Sequence, residues 1–235
     1  MRNMRCLTAA SCGIAIVLGL GLTAHAQTTY HITVDTSTLQ GQTGNIDFQF
    51  NPGAVDSLNA EVDLTNFTTD GTMGTSATDT GGATGTLPVT SVIANTDAFN
   101  DLYQSMTFGN GFSFDAIFVG PALNPTPPFS SLGSVFAVSL YDATGTMTLL
   151  TTDPNGTILD VDLAPNGSTS SRTFPADPSG SPPVATVSLI TPGAVPETST
   201  TASLGLLLSL GLLLLISSII RGRKMGLGGY DGTKE

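Results

Sequence analysis

The chain has 235 residues, 27 of them glycine, with no tryptophan, 11% charged residues and a formal net charge of −11. An acidic chain this poor in Lys and Arg is not a nucleic-acid binder, because phosphate contacts need clustered cations. Both cysteines, Cys6 and Cys12, fall near the N-terminus, so the rest of the chain has no disulfide framework.

Arg2 and Arg5 precede an apolar run from Cys6 to Leu22, which is followed by Ala24-His25-Ala26. This order of a basic start, an apolar core and a small-x-small end is that of a signal peptide over 1–26, with Ala24 and Ala26 presenting the signal peptidase site. Cleavage there leaves Gln27 as the first mature residue. Ala9-Ala10-Ser11 before Cys12 lacks the leucine of a lipoprotein site, which argues against a lipid anchor. Between Gln27 and Pro196 fifteen acidic residues face one base, Arg172, a net charge of −14. Such a surface repels nucleic acid and anionic lipid and meets an acidic polysaccharide only through bridging cations.

The exported part is long enough for one domain with a real core. Tyr30, Ile32 and Val34 alternate with His31, Thr33 and Asp35, and Ile46-Asp47-Phe48-Gln49-Phe50 repeats the pattern. Each predicts a strand with one buried face. The turn-like Thr36–Gly44 between them predicts a hairpin with a long loop. Ala60, Val62 and Leu64 alternate with Glu61, Asp63 and Thr65 after the turn Asn51-Pro52-Gly53, and three consecutive strands favour an antiparallel sheet. From Thr68 to Gly85 the composition predicts a loop or weak edge strand. Leu87 to Ile93 predicts a strand with Pro88 near its start.

The single helical expectation follows. Ala98, Phe99, Leu102, Tyr103 and Met106 recur at three- and four-residue spacing behind Asp97 in an N-cap-like position, which predicts a short helix. Phe112–Val119 and Val135–Tyr141 are the most apolar segments and predict central strands, with the proline-rich Pro121–Ser131 an excursion between them. Thr146–Thr151 and Thr157–Leu163 predict a further pair joined through Asp153-Pro154-Asn155-Gly156. After Leu163 the composition turns to Pro, Ser, Gly and Thr, predicting a linker over 164–194 in which Val184–Ile190 returns as a last strand. About nine strands with almost no helix predict an all-β, two-sheet antiparallel sandwich of jelly-roll-like type over 27–163.

Val195-Pro196-Glu197-Thr198-Ser199-Thr200 leads into an uncharged apolar run from Ala202 to Ile220, closed by Arg221-Gly222-Arg223-Lys224. As a helix that run rises roughly 28 Å, one bilayer span. The basic cluster of Arg221, Arg223 and Lys224 marks the cytoplasmic side, so the preceding chain lies outside and 225–235 forms a cytoplasmic tail. The order of motif, span and basic end over 195–224 resembles the PEP-CTERM sorting signal of Gram-negative bacteria. Val195, Pro196 and Glu197 match the motif; Thr198 stands where a second proline is usual, and eleven residues follow the basic cluster where few are usual. The resemblance implies an exosortase, a membrane transpeptidase, as processing partner. It implies delivery from the inner membrane to the cell surface or extracellular matrix. The bland alternative is a plain membrane anchor.

Tyr30-His31-Ile32-Thr33-Val34-Asp35, Asp70-Gly71 and Phe136-Ala137-Val138-Ser139-Leu140-Tyr141-Asp142 resemble landmarks of an uncharacterised group of PEP-CTERM proteins with β-rich ectodomains. That likeness implies a biofilm and exopolysaccharide context and no known activity. From the residues themselves, a mature chain with one histidine and without cysteine or an ectodomain lysine lacks the parts of most nucleophilic and metal-hydrolytic schemes. A secreted glycoside hydrolase needs two carboxylates at a spatial separation, and usually aromatic platforms that a chain without tryptophan supplies poorly. Asp160-Val161-Asp162 and Glu61-Val62-Asp63 each set two carboxylates on one side of a strand. Asp160 and Asp162, with Asp153 and Asn155 in the adjacent turn, present oxygen ligands for a Ca²⁺ ion, although the glycine and terminal glutamate of an EF-hand loop are missing. The residues therefore predict an exported, noncatalytic surface or matrix protein that needs no cofactor. The alternative is an adhesive module binding carbohydrate or Ca²⁺.

Overall fold

A computed structural model describes residues 26–191. Twelve strands make up the domain: β1 (Thr28–Asp35), β2 (Thr43–Pro52), β3 (Glu61–Thr69), β4 (Thr72–Thr80), β5 (Ala83–Thr84) and β6 (Ser91–Ala94), then β7 (Asp101–Thr107), β8 (Gly111–Val119), β9 (Ser134–Asp142), β10 (Thr157–Leu163), β11 (Thr169–Thr173) and β12 (Ala185–Ile190). They form two six-stranded sheets, β12-β1-β8-β3-β6-β5 (sheet A) and β11-β10-β9-β2-β7-β4 (sheet B), and every pairing is antiparallel. The first eight strands pair as nested loops. β1 pairs with β8, β2 with β7 and β3 with β6, while β4 and β5 adjoin at the innermost turn. β9, β10 and β11 then widen sheet B beyond β2, and β12 widens sheet A beyond β1.

The alternation read from the sequence sets the faces. Tyr30, Ile32 and Val34 of β1, Phe112, Phe114 and Phe118 of β8, and Val62 and Leu64 of β3 point inward from sheet A. Ile46, Phe48 and Phe50 of β2 and Phe136, Val138 and Leu140 of β9 meet them from sheet B; all are buried. Aromatic rings carry the contact between the layers. Phe48 meets Phe114 edge to face at 5.2 Å, and Phe118 packs edge-on against Tyr30, Phe50 and Phe136. Rings of this size bury enough apolar surface to hold two sheets together without a crosslink.

Several sequence expectations are corrected. β1 and β2 are not a hairpin: a single 3-10 turn at Ser37–Leu39 carries the chain from sheet A to sheet B. Nor do the first three strands share one sheet, since β1 and β3 lie in sheet A with β8 between them. The expected helix after Asp97 is strand β7, paired with β2 on one side and β4 on the other. Leu87–Pro88 lies in a turn, and the strand begins only at Ser91. Thr146–Thr151 does not pair with β10. It folds back on β9, where Leu149 N–H donates to the Leu140 carbonyl at 2.8 Å and Thr148 bridges Tyr141. The sandwich also continues past Leu163, because the stretch read as linker supplies β11 against β10, and Val184–Ile190 supplies β12 as expected.

Candidate functional site

Of the carboxylates that the sequence singled out, Asp160 and Asp162 stand on the outer face of sheet B. Asp160 and Asp162 share one face of β10, and Asp160 is placed directly opposite Arg172 of β11 by the strand register. Arg172 clamps it with two bonds, Nε to Oδ1 at 3.0 Å and Nη2 to Oδ2 at 2.8 Å, and the same Nη2 lies 3.4 Å from Asp162. A guanidinium thus sits where a metal ion would have to sit, and its fork matches a carboxylate in both charge and shape. Burial pushes the Asp160 carboxyl above its ordinary value, and the bonds from Arg172 only partly offset this.

Asp153 is engaged separately. Its carboxylate accepts the N–H groups of Asn155 and Thr157 at 3.1 and 3.2 Å and so closes the turn into β10. Glu61 is exposed and Asp63 half-buried on β3, in the other sheet. Among the described residues no three His, Cys, Asp or Glu side chains gather at a spacing that would hold a metal ion.

The outer face of sheet A carries a second polar cluster. His31 of β1 and Asp115 of β8 are register partners whose Nδ1 and Oδ1 lie 2.7 Å apart, and Asn66 Nδ2 donates to the other Asp115 oxygen at 2.7 Å. Asn66 reaches this position from a bulge in β3, where it adopts φ 54°, a conformation that asparagine tolerates better than most residues. Burial raises the Asp115 carboxyl, but the bonds from Asn66 and His31 outweigh it and hold the group below its ordinary value. Ser188 of β12 stands opposite His31, so serine, histidine and aspartate follow one another across three strands. The Asp115 end of that row is bonded; the Ser188 hydroxyl has no bond to His31, and the His31 side chain is 47% exposed on a flat face. The row is an oriented histidine without an activated nucleophile.

A third cluster was missed by sequence reasoning. Asp47 of β2 projects from the outer face of sheet B yet is only 4% exposed. Asp101 of β7 lies diagonally across from it, since Asp47 is opposite Tyr103 and Asp101 is opposite Gln49. That register makes the two carboxyl groups neighbours on the outer face. Gln49 Nε2 donates to Asp47 Oδ2 at 2.7 Å, whereas Asp47 Oδ1 and Asp101 Oδ1 are buried with no donor. Burial and the neighbouring Asp101 push the Asp47 carboxyl up to about 8. The alternation in β2 showed Asp47 on an outer face. Nothing local showed that a strand more than fifty positions later would set a second aspartate beside it.

Among the described residues no helix is long and apolar enough to cross a membrane. Ala24, Val195, Pro196, Glu197, Arg221, Arg223, Lys224 and the predicted span lie outside the described residues, and Ala26 is exposed at their edge. Comparison with protein-family models, with curated proteins and with solved structures gives no match.

Proposed function

We propose that this chain is an exported, noncatalytic surface or matrix protein. A jelly-roll-like sandwich is delivered by a signal peptide and released from a C-terminal membrane span by an exosortase-type enzyme. The observation that supports this reading is where the domain closes. β1 and β12 are neighbours at one edge of sheet A, with Thr29 opposite Ile190. The residue that follows signal-peptide cleavage and the residue that ends the last strand therefore leave from the same pole. Gln27 precedes β1 by one residue, and four residues separate Ile190 from Val195. Cuts after Ala26 and near Pro196 remove none of the twelve strands, so both processing steps leave the hydrogen-bonded sheets whole.

The nested pairing of the first eight strands supports the jelly-roll reading. The acidic coat suits a soluble matrix component and a cation-bridged encounter with acidic exopolysaccharide. Intact-mass analysis of exported material tests the proposal. The expected species starts at Gln27 and ends near Pro196 or Glu197, and replacing Pro196 and Glu197 leaves the precursor in the inner membrane. Surface-exposed protein that still carries Met225–Glu235 would reduce the C-terminal segment to a plain anchor.

A further inference from the structure

Asp47 and Asp101 make a pairing that two ionised carboxylates could not sustain. Both Oδ1 atoms are shut off from water and neither receives a hydrogen bond, and the residues are diagonal neighbours, so with both groups charged two carboxylates would sit side by side in a medium that solvates them poorly. One proton placed between them turns the contact into a short, charge-assisted hydrogen bond and satisfies both atoms at once. We propose that Asp47 and Asp101 form a proton-binding site. One shared proton is taken up as the domain folds, and it ties the closure of the β2–β7–β4 side of sheet B to the acidity of the medium.

No alternative counter-charge is at hand. The titratable groups facing the pair are Tyr103 from β7, Tyr141 from β9 and Asp79 from β4, with Asp142 of β9 next to Tyr103, and none of them is basic. The rings of Tyr103 and Tyr141, 6.1 Å apart, stand beside Asp47. Burial first, and then the charge Asp47 carries once it ionises, pushes both phenols above their ordinary values, so they stay neutral. Arg172 lies in the same cross-strand row as Asp101, but four strands away through Asp160, Ala137 and Gln49. That is roughly 19 Å at the usual strand spacing, and Arg172 is already committed to Asp160. Among the described residues the other candidate cation, His31, belongs to the opposite sheet.

The direction of the effect follows from proton counting. An unfolded Asp47 releases its proton near its ordinary value of 3.8, while the folded one keeps it to about 8. The folded state thus binds one proton more between these limits, and stability falls as pH rises through them. At full stoichiometry the folding constant drops about tenfold per pH unit, hence about 100-fold from pH 5 to pH 7, and levels off above about pH 8.

The test is chemical denaturation of the full-length chain in mild detergent from pH 5 to pH 9, with Asp47→Asn and Asp101→Asn alongside. Half-buried Asp63 and buried Asp160 contribute a slope of the same sign, so the quantity read is wild type minus variant. The expected result is a difference of about one proton, with either asparagine flattening the decline and the Asp47 carboxyl carbon retaining its protonated NMR shift at pH 6. Equal slopes in the wild type and both variants, or an Asp47 carboxyl already ionised at pH 6, would overturn the proposal. So would a Ca²⁺-specific stabilisation at pH 9, beyond NaCl of equal ionic strength and lost in Asp47→Asn, because a metal ion would then be the occupant.

Discussion

Replacing Arg172 by alanine tests how sheet B tolerates its outer-face charge. The Asp160 side chain is 8% exposed and the Arg172 side chain 59% exposed, with two bonds of 3.0 and 2.8 Å between them. Stripping the partner from a fully buried ion pair costs about 3–5 kcal/mol. Here the guanidinium stands largely in water, so screening lowers the expected cost of Arg172→Ala to about 2 kcal/mol. In a domain of this size that lowers Tm by roughly 4–8 °C. The deficit should depend on pH. Burial already holds the Asp160 carboxyl above its ordinary value despite Arg172, and losing Arg172 raises it further. A group whose folded pKa is raised favours the folded state below its unfolded value and loses that advantage as pH climbs. The deficit should therefore be largest near neutrality and shrink toward pH 4, and Asp160→Asn added to Arg172→Ala should recover most of it. Calorimetry decides the matter. A loss under about 0.5 kcal/mol, a deficit indifferent to pH, or a double variant no better than the single one would show that Asp160 does not depend on Arg172.

Phe48→Ala removes a ring packed against Phe114 and Phe136 with no exposure; it should cost about 3–5 kcal/mol by denaturant titration. His31→Ala, at a half-exposed surface site, should change stability by no more than about 0.5 kcal/mol, and a larger loss would mean that His31 and Asp115 brace sheet A. Gly133→Ala sets a methyl group against the Leu163 carbonyl oxygen and should destabilise the start of β9, visible as faster amide exchange at Ser134 and Val135. Because Arg172 occupies Asp160, millimolar Ca²⁺ should raise Tm no further than NaCl of equal ionic strength, which itself raises Tm by screening the −14 charge. An excess from Ca²⁺ that disappears in Asp160→Asn with Asp162→Asn would restore the cation site.

Side-chain alternation was enough to assign inward and outward faces in β1, β2 and β3, because a strand has a two-residue period and a buried face tolerates few polar residues, and apolar content alone marked β8 and β9 as central strands. The same logic set Asp160 and Asp162 on one side of β10. It failed at β7, where Gln104 takes an inward position between Leu102 and Met106 and breaks the apolar rhythm. What remained matched a helical spacing. Gln104 is tolerated inside because Leu87 N–H donates to its Oε1 at 2.8 Å and its Nε2 donates to the carbonyls of Gly74 and Leu87, partners that exist only after folding. Strand partnership was equally out of reach. Pairing β1 with β8, and β2 with β7 and β9, is decided by how two apolar faces close over one core, and short loops allow a hairpin or a crossover between sheets alike. For the same reason the sequence showed that Asp47 lay on the polar face of its strand and that Asp160 and Asp162 shared a side, but not what any of them met. Arg172 opposite Asp160 and Asp101 diagonal to Asp47 are products of register, and register is a property of the assembled sheets.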